Sequence, residues 1–407
     1  MRVVHERCCG LDVHKKTVVA CLLGSEGRQL RSFGTVTSQL LELADWLQAE
    51  HVEAVAMESS GVYWKPVFNV LEAAGLHLLV VNARHMKAVP GRKTDVKDAE
   101  WIADLLRHGL LQASFIPDRP ARELRELVRY RKTLIEQRGQ EVQRVQKLLE
   151  GANIKLGDVL ADVLGKSGRA MLQVLASGEY DPQELAAQAR YGLQKKRERL
   201  GQALTGSVGP HQRYLLTQQL RHIEFLEQQI QELDREVAER MRPFEAAIQQ
   251  LDRAPGLGRR AVEQILAETG CEMSRFPTHR HISSWAKVCP GNHESAGKRR
   301  SGWSGKGNPW LRAALCEAAW AAILTKDSYF RAQYQRLAAR RGRKRALLAV
   351  AHSLLVVIYH LLKDGTVYQD LGPHHFEERD RQAAARHAVR RLQRLGYSVT
   401  LSQEAVA

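Results

Sequence analysis

A chain of 407 residues, 44% apolar and 26% charged, has the composition of an ordinary globular protein with two or three buried cores, which excludes a disordered polymer. Its net charge of +16 and pI near 9.7 are not ordinary: an Arg-rich excess spread over folded segments predicts a polyanionic partner, nucleic acid before membrane. The six cysteines form no C-x-x-C pair, which excludes a tight disulfide framework and predicts reduced, intracellular thiols.

Met1 to Leu11 holds no apolar core with a cleavage site, so no secretory signal is expected. Cys9, Leu11 and Val13 alternate with Gly10, Asp12 and His14 as a strand does. Thr17 to Leu23 is a second β-rich run, and Ser25-Glu26-Gly27 turns the chain into a third from Gln29 to Val36. Leu40, Leu41, Leu43, Ala44 and Leu47 mark an amphipathic helix. Val52 to Met57 is a short apolar strand ending at Glu58; a helix follows through Val67, Leu71 and Ala74, then a strand from Leu76 to Val81. Ala99, Ile102, Ala103 and Leu106 recur at helical spacing. This β-β-β-α-β-α-β-α order predicts an α/β domain with a mixed sheet over residues 1–112.

In open sheets ligands gather at strand carboxyl ends, where Asp12 and Glu58 fall. Asp95 and Asp98 share one side of the first turn of the last helix. Two acids there repel unless a hard divalent cation with oxygen ligands lies between them. The plainer alternative makes Thr94 or Asp95 an N-cap and Asp98 its capping-box partner.

Pro117 and Pro120 introduce a helical region over 113–245. Leu124, Leu127, Leu134, Val142, Val145 and Leu148 keep a three-four rhythm. After Gly206 to Pro210 it returns at Leu216, Leu220, Ile223, Leu226, Ile230, Leu233 and Val237. The pattern predicts a coiled coil between chains or an antiparallel helical hairpin, against a plain amphipathic helix packed on its own chain.

From Leu251 the composition changes, and 246–365 reads as a mainly helical domain. Pro255-Gly256-Leu257-Gly258 resembles a helix-hairpin-helix element, whose Gly256 and Gly258 let backbone amides approach a phosphate, or else an ordinary helix-helix turn. Lys298 through Arg345 holds thirteen Lys/Arg against two acids, Glu317 and Asp327. A basic, glycine-rich loop with Lys298, Arg299, Arg300 and an exposed Trp303, followed by Lys306, Asn308 and Arg312, suits a nucleic-acid backbone; the alternative is a solvated basic face. Cys271, His279, His281 and Cys289 match no common zinc spacing. The apolar run Ala346 to Leu362, broken by His352, Ser353 and His360, falls short of the ~20 residues that span a bilayer and predicts a buried helix. Residues 366–407 read as a basic terminal extension with little core of its own.

Taken together, Asp12, Glu58, Asp95 and Asp98 supply what two hard cations about 3.5–4 Å apart require for phosphodiester chemistry. Ser295, among basic residues, is a candidate nucleophile at phosphorus, although most serines in such loops only hydrogen-bond a phosphate.

The motifs Gly10-Leu11-Asp12-Val13-His14-Lys15, Met57 through Trp64 and Lys93-Thr94-Asp95-Val96-Lys97-Asp98-Ala99 resemble those of the DEDD transposases of bacterial insertion sequences, the insertion-sequence 110 family. So do Pro255 through Gly258, Ser295-Ala296-Gly297 and Lys306 through Arg312, in order, over nearly the whole chain to about residue 362. The resemblance implies an RNase-H-like (RuvC-like) first domain in which Asp12, Glu58, Asp95 and Asp98 hold Mg²⁺ or Mn²⁺. It also implies a separate transposase domain whose Ser295 forms a covalent phosphoserine link to DNA, with Lys93 and the basic-loop residues on nucleic acid. Donor and target DNA, a structured non-coding bridge RNA, a homo-oligomer (dimer or tetramer) and a bacterial cytoplasmic, nucleoid-associated location follow from it. One departure stands out. The family pattern places Gly directly after the serine, whereas Ala296 intervenes here; Ser301-Gly302 has the tighter form, so Ser301 stays open as the nucleophile.

The leading expectation is therefore an RNA-directed DNA recombinase. The alternatives are a metal-dependent, structure-selective nuclease with no covalent intermediate, and a non-catalytic scaffold whose acids are helix caps.

Overall fold

Five strands, β1 (Cys8–Val13), β2 (Thr17–Gly24), β3 (Gly27–Gly34), β4 (Ala54–Glu58) and β5 (Leu78–Val81), form one sheet in the order β3-β2-β1-β4-β5. The first three pair antiparallel; β4 and β5 continue the sheet parallel to β1. This is the RNase-H-like, RuvC-like arrangement. Strand alternation sends Cys9, Leu11, Val13, Val55 and Met57 to a core shared with α1 (Thr37–Ala49) and α2 (Trp64–Ala73). Leu43 and Leu47 of α1 are fully buried there, each worth about 2 kcal/mol of transfer free energy. Cys8, Gly10, Ala54 and Ala56 face the other side, which α3 (Asp95–Arg107) covers with Ala99, Ile102, Ala103 and Leu106.

The computed structural model describes residues 2–59, 61–82, 95–178, 181–187, 189, 191–290, 293–295, 298–301, 305 and 307–400. For 95–97, 191–192, 293–295, 298–301, 377, 380, 382–384 and 387 the description is of the backbone. The chain divides into two compact units, Met1–Asp118 and Arg119–Ala407. The third strand begins at Gly27 rather than Gln29, because Gly24 pairs with Gly27 and the connection takes only Ser25 and Glu26. Gly27 accepts φ +113, a backbone conformation that other residues adopt only with strain.

In the second unit α4 (Arg119–Gly151) begins a long out-and-back pair. Around its far end come α5 (Leu156–Val159), α6 (Lys166–Ser177), α7 (Pro182–Ala187) and α8 (Arg197–Leu204), followed by the returning α9 (Pro210–Met241). Leu124 and Val128 share a core with Val237 and Met241, Leu134 with Leu226 and Ile230, and Val145 and Leu149 with Leu216 and Leu220. The pairing is antiparallel and within one chain, so the rhythm of the middle region is that of a helical hairpin. Arg138 binds Glu227 across it and Arg169 reaches the same carboxylate from α6; although partial burial opposes ionisation, those hydrogen bonds hold the Glu227 carboxyl below the usual range.

The remaining helices are α10 (Glu245–Leu251), α11 (Arg259–Thr269), α12 (His279–Ala286), α13 (Pro309–Ala322), α14 (Tyr329–Arg341), α15 (Arg343–Asp364) and α16 (His375–Arg394). The apolar run from Ala346 lies in α15, where Val350, Leu354, Leu355 and Ile358 are fully buried in the core of this unit. By length and composition alone α15 passes the test for a membrane-spanning helix; its burial accounts for its apolar content. All six cysteines are free, and burial pushes the Cys8, Cys21 and Cys271 thiols up to about 11.

Candidate functional site

The register of the sheet sets the acidic edge. Leu11 pairs with Met57 across the parallel β1 and β4, so Asp12 and Glu58 are the next residues on neighbouring strands, about 4.8 Å apart at the backbone. Alternation turns both toward the α3 side, opposite Leu11 and Met57. Helix α3 runs antiparallel to β1. Its last residue, Arg107, accepts a 2.8 Å bond from Val4 N–H ahead of β1, and Ala103 O accepts from Cys8 Sγ at 3.5 Å. Its first turn, with Asp95 and Asp98, therefore lies toward the end of the sheet where Asp12 sits.

Gly10 makes that crossing possible. A Cβ there would stand 2.3 Å from Ala99 O and 2.4 Å from Ala103 N, so only a residue without one lets the helix backbone lie on the strand. Arg28 on β3 adds a 2.8 Å ion pair to Glu100, two residues beyond the half-buried Asp98.

His14 Nε2 lies 3.0 Å from Asp12 Oδ2, with the Asp12 side chain 15% exposed. Sequence reasoning gave His14 no role. Its place two residues after Asp12, just past the end of β1, is the signal that could have found it. The Asp95 side chain and Lys93 fall outside the described residues, and among those described no three His, Cys, Asp or Glu side chains form a metal group. What converges here is therefore two strand ends and a helix start.

The serine segment, read from sequence as a loop, is a hairpin. β6 (His293–Ser295) pairs antiparallel with β7 (Lys298–Ser301), Ser295 opposite Lys298 and His293 opposite Ser301. Ser295 ends β6 opposite the first residue of β7, while Ser301 stands at the open end. The side chains of Ser295, Lys298, Arg299, Arg300 and Ser301 lie outside the description, as do Trp303 and Lys306 altogether.

Several residues expected on nucleic acid have internal duties. Asn308 caps α13, its Oδ1 accepting from Trp310 N and Leu311 N, and its Nδ2 donates to Glu268 Oε2 at 2.7 Å. Arg312 Nη1 donates to Gly305 O at 3.3 Å. At Gly256, φ +82, a Cβ would meet Ala318 O at 2.2 Å, so this glycine admits the close approach of α13. Gly258, by contrast, precedes α11 with open space around it. Of the four residues weighed against zinc, His281 Nδ1 lies 2.9 Å from Thr278 Oγ1 at the start of α12, and Cys289 Sγ donates to Ser283 O.

Glu268, 2% exposed, is the node that sequence reasoning missed. Arg129 binds it with both Nε and Nη2 (2.7 and 2.8 Å), and Arg125 donates to the backbone oxygens of Ala267 and Glu268. Together with Asn308, these contacts fasten α4 to α11 and to the start of α13. Removing one partner of such a buried pair strands the other charge, so Glu268→Ala should lower stability by about 3 kcal/mol, checked by urea unfolding.

Two family models match the chain. One, for the DEDD transposases of IS110 and described as Transposase, covers residues 9–154; the other, described as Transposase IS116/IS110/IS902 family, covers 248–335. The Insertion element IS110 uncharacterized 43.6 kDa protein of Streptomyces coelicolor is 31% identical over 121 residues, a match spanning 29% of this chain and 29% of that protein's length. Among solved structures, T. thermophilus RuvC in complex with Holliday junction substrate aligns with 27% of this chain and 100% of its own at 13% identity, with a TM-score of 0.21.

Proposed function

The chain belongs to the IS110 family of insertion-sequence transposases, and on that premise we propose that it is a DNA recombinase that moves its own element under the direction of RNA. The observation that carries this reading is the acidic edge: Asp12 and Glu58 at matched strand ends, with α3 beginning on the same side. Hard carboxylate oxygens suit Mg²⁺ or Mn²⁺, and Asp12, Glu58, Asp95 and Asp98 would hold it. When bound, such an ion polarises a phosphoryl oxygen and makes a coordinated water more acidic. His14, bonded to Asp12, fixes the orientation of that carboxylate.

Ser295 is the proposed nucleophile, with Ser301 as the alternative. The serine oxygen bonds to phosphorus while the bond from phosphorus to a bridging DNA oxygen breaks. The serine proton passes to a base, and the departing DNA oxygen leaves as a hydroxyl. The reverse step on a second strand completes exchange. Lys93, Lys298, Arg299, Arg300, Trp303, Lys306 and Arg312, with the open Gly258 turn, would hold the nucleic-acid backbone, whereas Gly256 and Asn308 serve by packing. The partners are donor and target DNA, a structured bridge RNA and further copies of the chain.

Trapping with element-end DNA on a denaturing gel tests the chemistry. Wild-type protein should give a protein-DNA adduct, and Ser295→Ala should give none while its recombination falls to background. An adduct that survives Ser295→Ala and disappears in Ser301→Ala moves the nucleophile to Ser301. Metal-dependent cutting of branched DNA without any adduct would leave the nuclease reading in its place. Sequencing the RNA that copurifies with the protein tests the guide.

A further inference from the structure

Neither matched span extends past residue 335, so α16 lies outside both. Its start is anchored: Phe376, 8% exposed, stacks on Tyr329 of α14 with ring centroids 4.9 Å apart. Arg336 and Arg379 each set a guanidinium 5.3 Å from that same ring. The adjoining cleft is lined by Lys326, Arg331, Arg336 and His374, with Asp327 its one acid. Lys326, Arg331 and Arg336 thus outnumber the single acid of that cleft.

Beyond the root the helix is of one sign. Glu377, Glu378 and Asp380 are confined to the anchored end, whereas residues 381–400 hold five arginines and no acid. Arg386, Arg390, Arg391 and Arg394 are all exposed, and Arg386, Arg390 and Arg394 recur every four residues. That spacing puts them along one side of the helix about 6 Å apart. Like charges so aligned repel one another, and a row of phosphates is the complement that relieves them.

We propose that α16 is a DNA-binding element that lies in the major groove of a duplex, its arginines on the flanking phosphates. The groove decides the occupant. The major groove of B-DNA, about 12 Å wide, admits an α-helix, whereas that of A-form RNA is too deep and narrow. The inference rests on the DNA-transposase reading for its substrate. Because binding needs no cleavage, either can fail without the other.

The test compares full-length protein with the variant Arg386→Ala/Arg390→Ala/Arg391→Ala/Arg394→Ala, using fluorescence anisotropy in EDTA. The probes are a two-turn DNA duplex and an RNA duplex of the same sequence, each titrated at several salt concentrations. Alanine favours helix and these side chains are exposed, so circular dichroism should be unchanged. DNA affinity should fall about tenfold or more, with the salt slope reduced by about one per arginine that contacts a phosphate. The RNA duplex should lose less than about twofold. The matching four-lysine variant, which keeps the charges, should retain most of the wild-type salt slope. Unchanged DNA binding, or an equal loss on DNA and RNA, overturns the proposal. So does wild-type protein that fails to bind duplex DNA.

Discussion

Asp12→Asn should leave the protein folded and reduce DNA cleavage about 10³-fold or more. The side chain keeps its size and can still pair with His14, so the sheet loses no packing. What it loses is the negative charge at the meeting point of β1, β4 and α3. A metal-bound phosphoryl group draws several kcal/mol of transition-state stabilisation from its ligands, and about 4 kcal/mol corresponds to that thousandfold. Cleavage of element-end DNA over a range of Mg²⁺ and Mn²⁺ concentrations measures the rate, and thermal unfolding checks the fold. Cleavage by the variant at the wild-type rate would remove the acidic edge from the mechanism.

Gly10→Ala should be nearly as damaging, by another route. One methyl group would sit 2.3 Å from Ala99 O and 2.4 Å from Ala103 N, both backbone atoms that no rotamer change can move. Helix α3 must then shift by about 1 Å to restore contact distance. Overpacking of this kind costs about 3 kcal/mol, read by chemical denaturation. The same shift carries Asp98 away from Asp12, and about 1 Å of misplacement in a catalytic group costs roughly 10²-fold in rate. Gly24→Ala is the control: its added carbon meets nothing closer than 3.7 Å, so it should change stability by less than about 0.5 kcal/mol. A Gly10→Ala protein that matches this control in stability and activity would mean that α3 does not depend on the close approach.

The acidic edge was legible because strand alternation is a local property. Cys9, Leu11 and Val13 against Gly10, Asp12 and His14 is enough to predict both a strand and the face on which Asp12 lies. The start of α3 was less legible from its apolar residues, since Asp95-Val96-Lys97-Asp98 precedes the first core contact at Ala99. The β6–β7 hairpin escaped because its strands are short and polar, with no apolar alternation to betray them. Heptad-like spacing in α4 and α9 predicted packed helices without naming the partner, because one apolar stripe serves a neighbour in the same chain or in another. The Glu268 node was beyond reach for a different reason. Arg129 and Asn308 meet it from 139 and 40 residues away, and single charged residues at such separations carry no pattern.

The antiparallel course of α4 and α9 has an evolutionary consequence. Leu124 and Met241 share one core, so the chain leaves the base of the arm and returns to it, and residues 152–209 are a closed detour. A helix of 33 residues carries that detour about 50 Å from its starting point. Deleting matched turns from both helices would draw it inward by about 5.4 Å per turn, with the base left as it was. The arm is in effect a ruler with whole-turn graduations, on which relatives could set different reaches without redesigning the serine-bearing core.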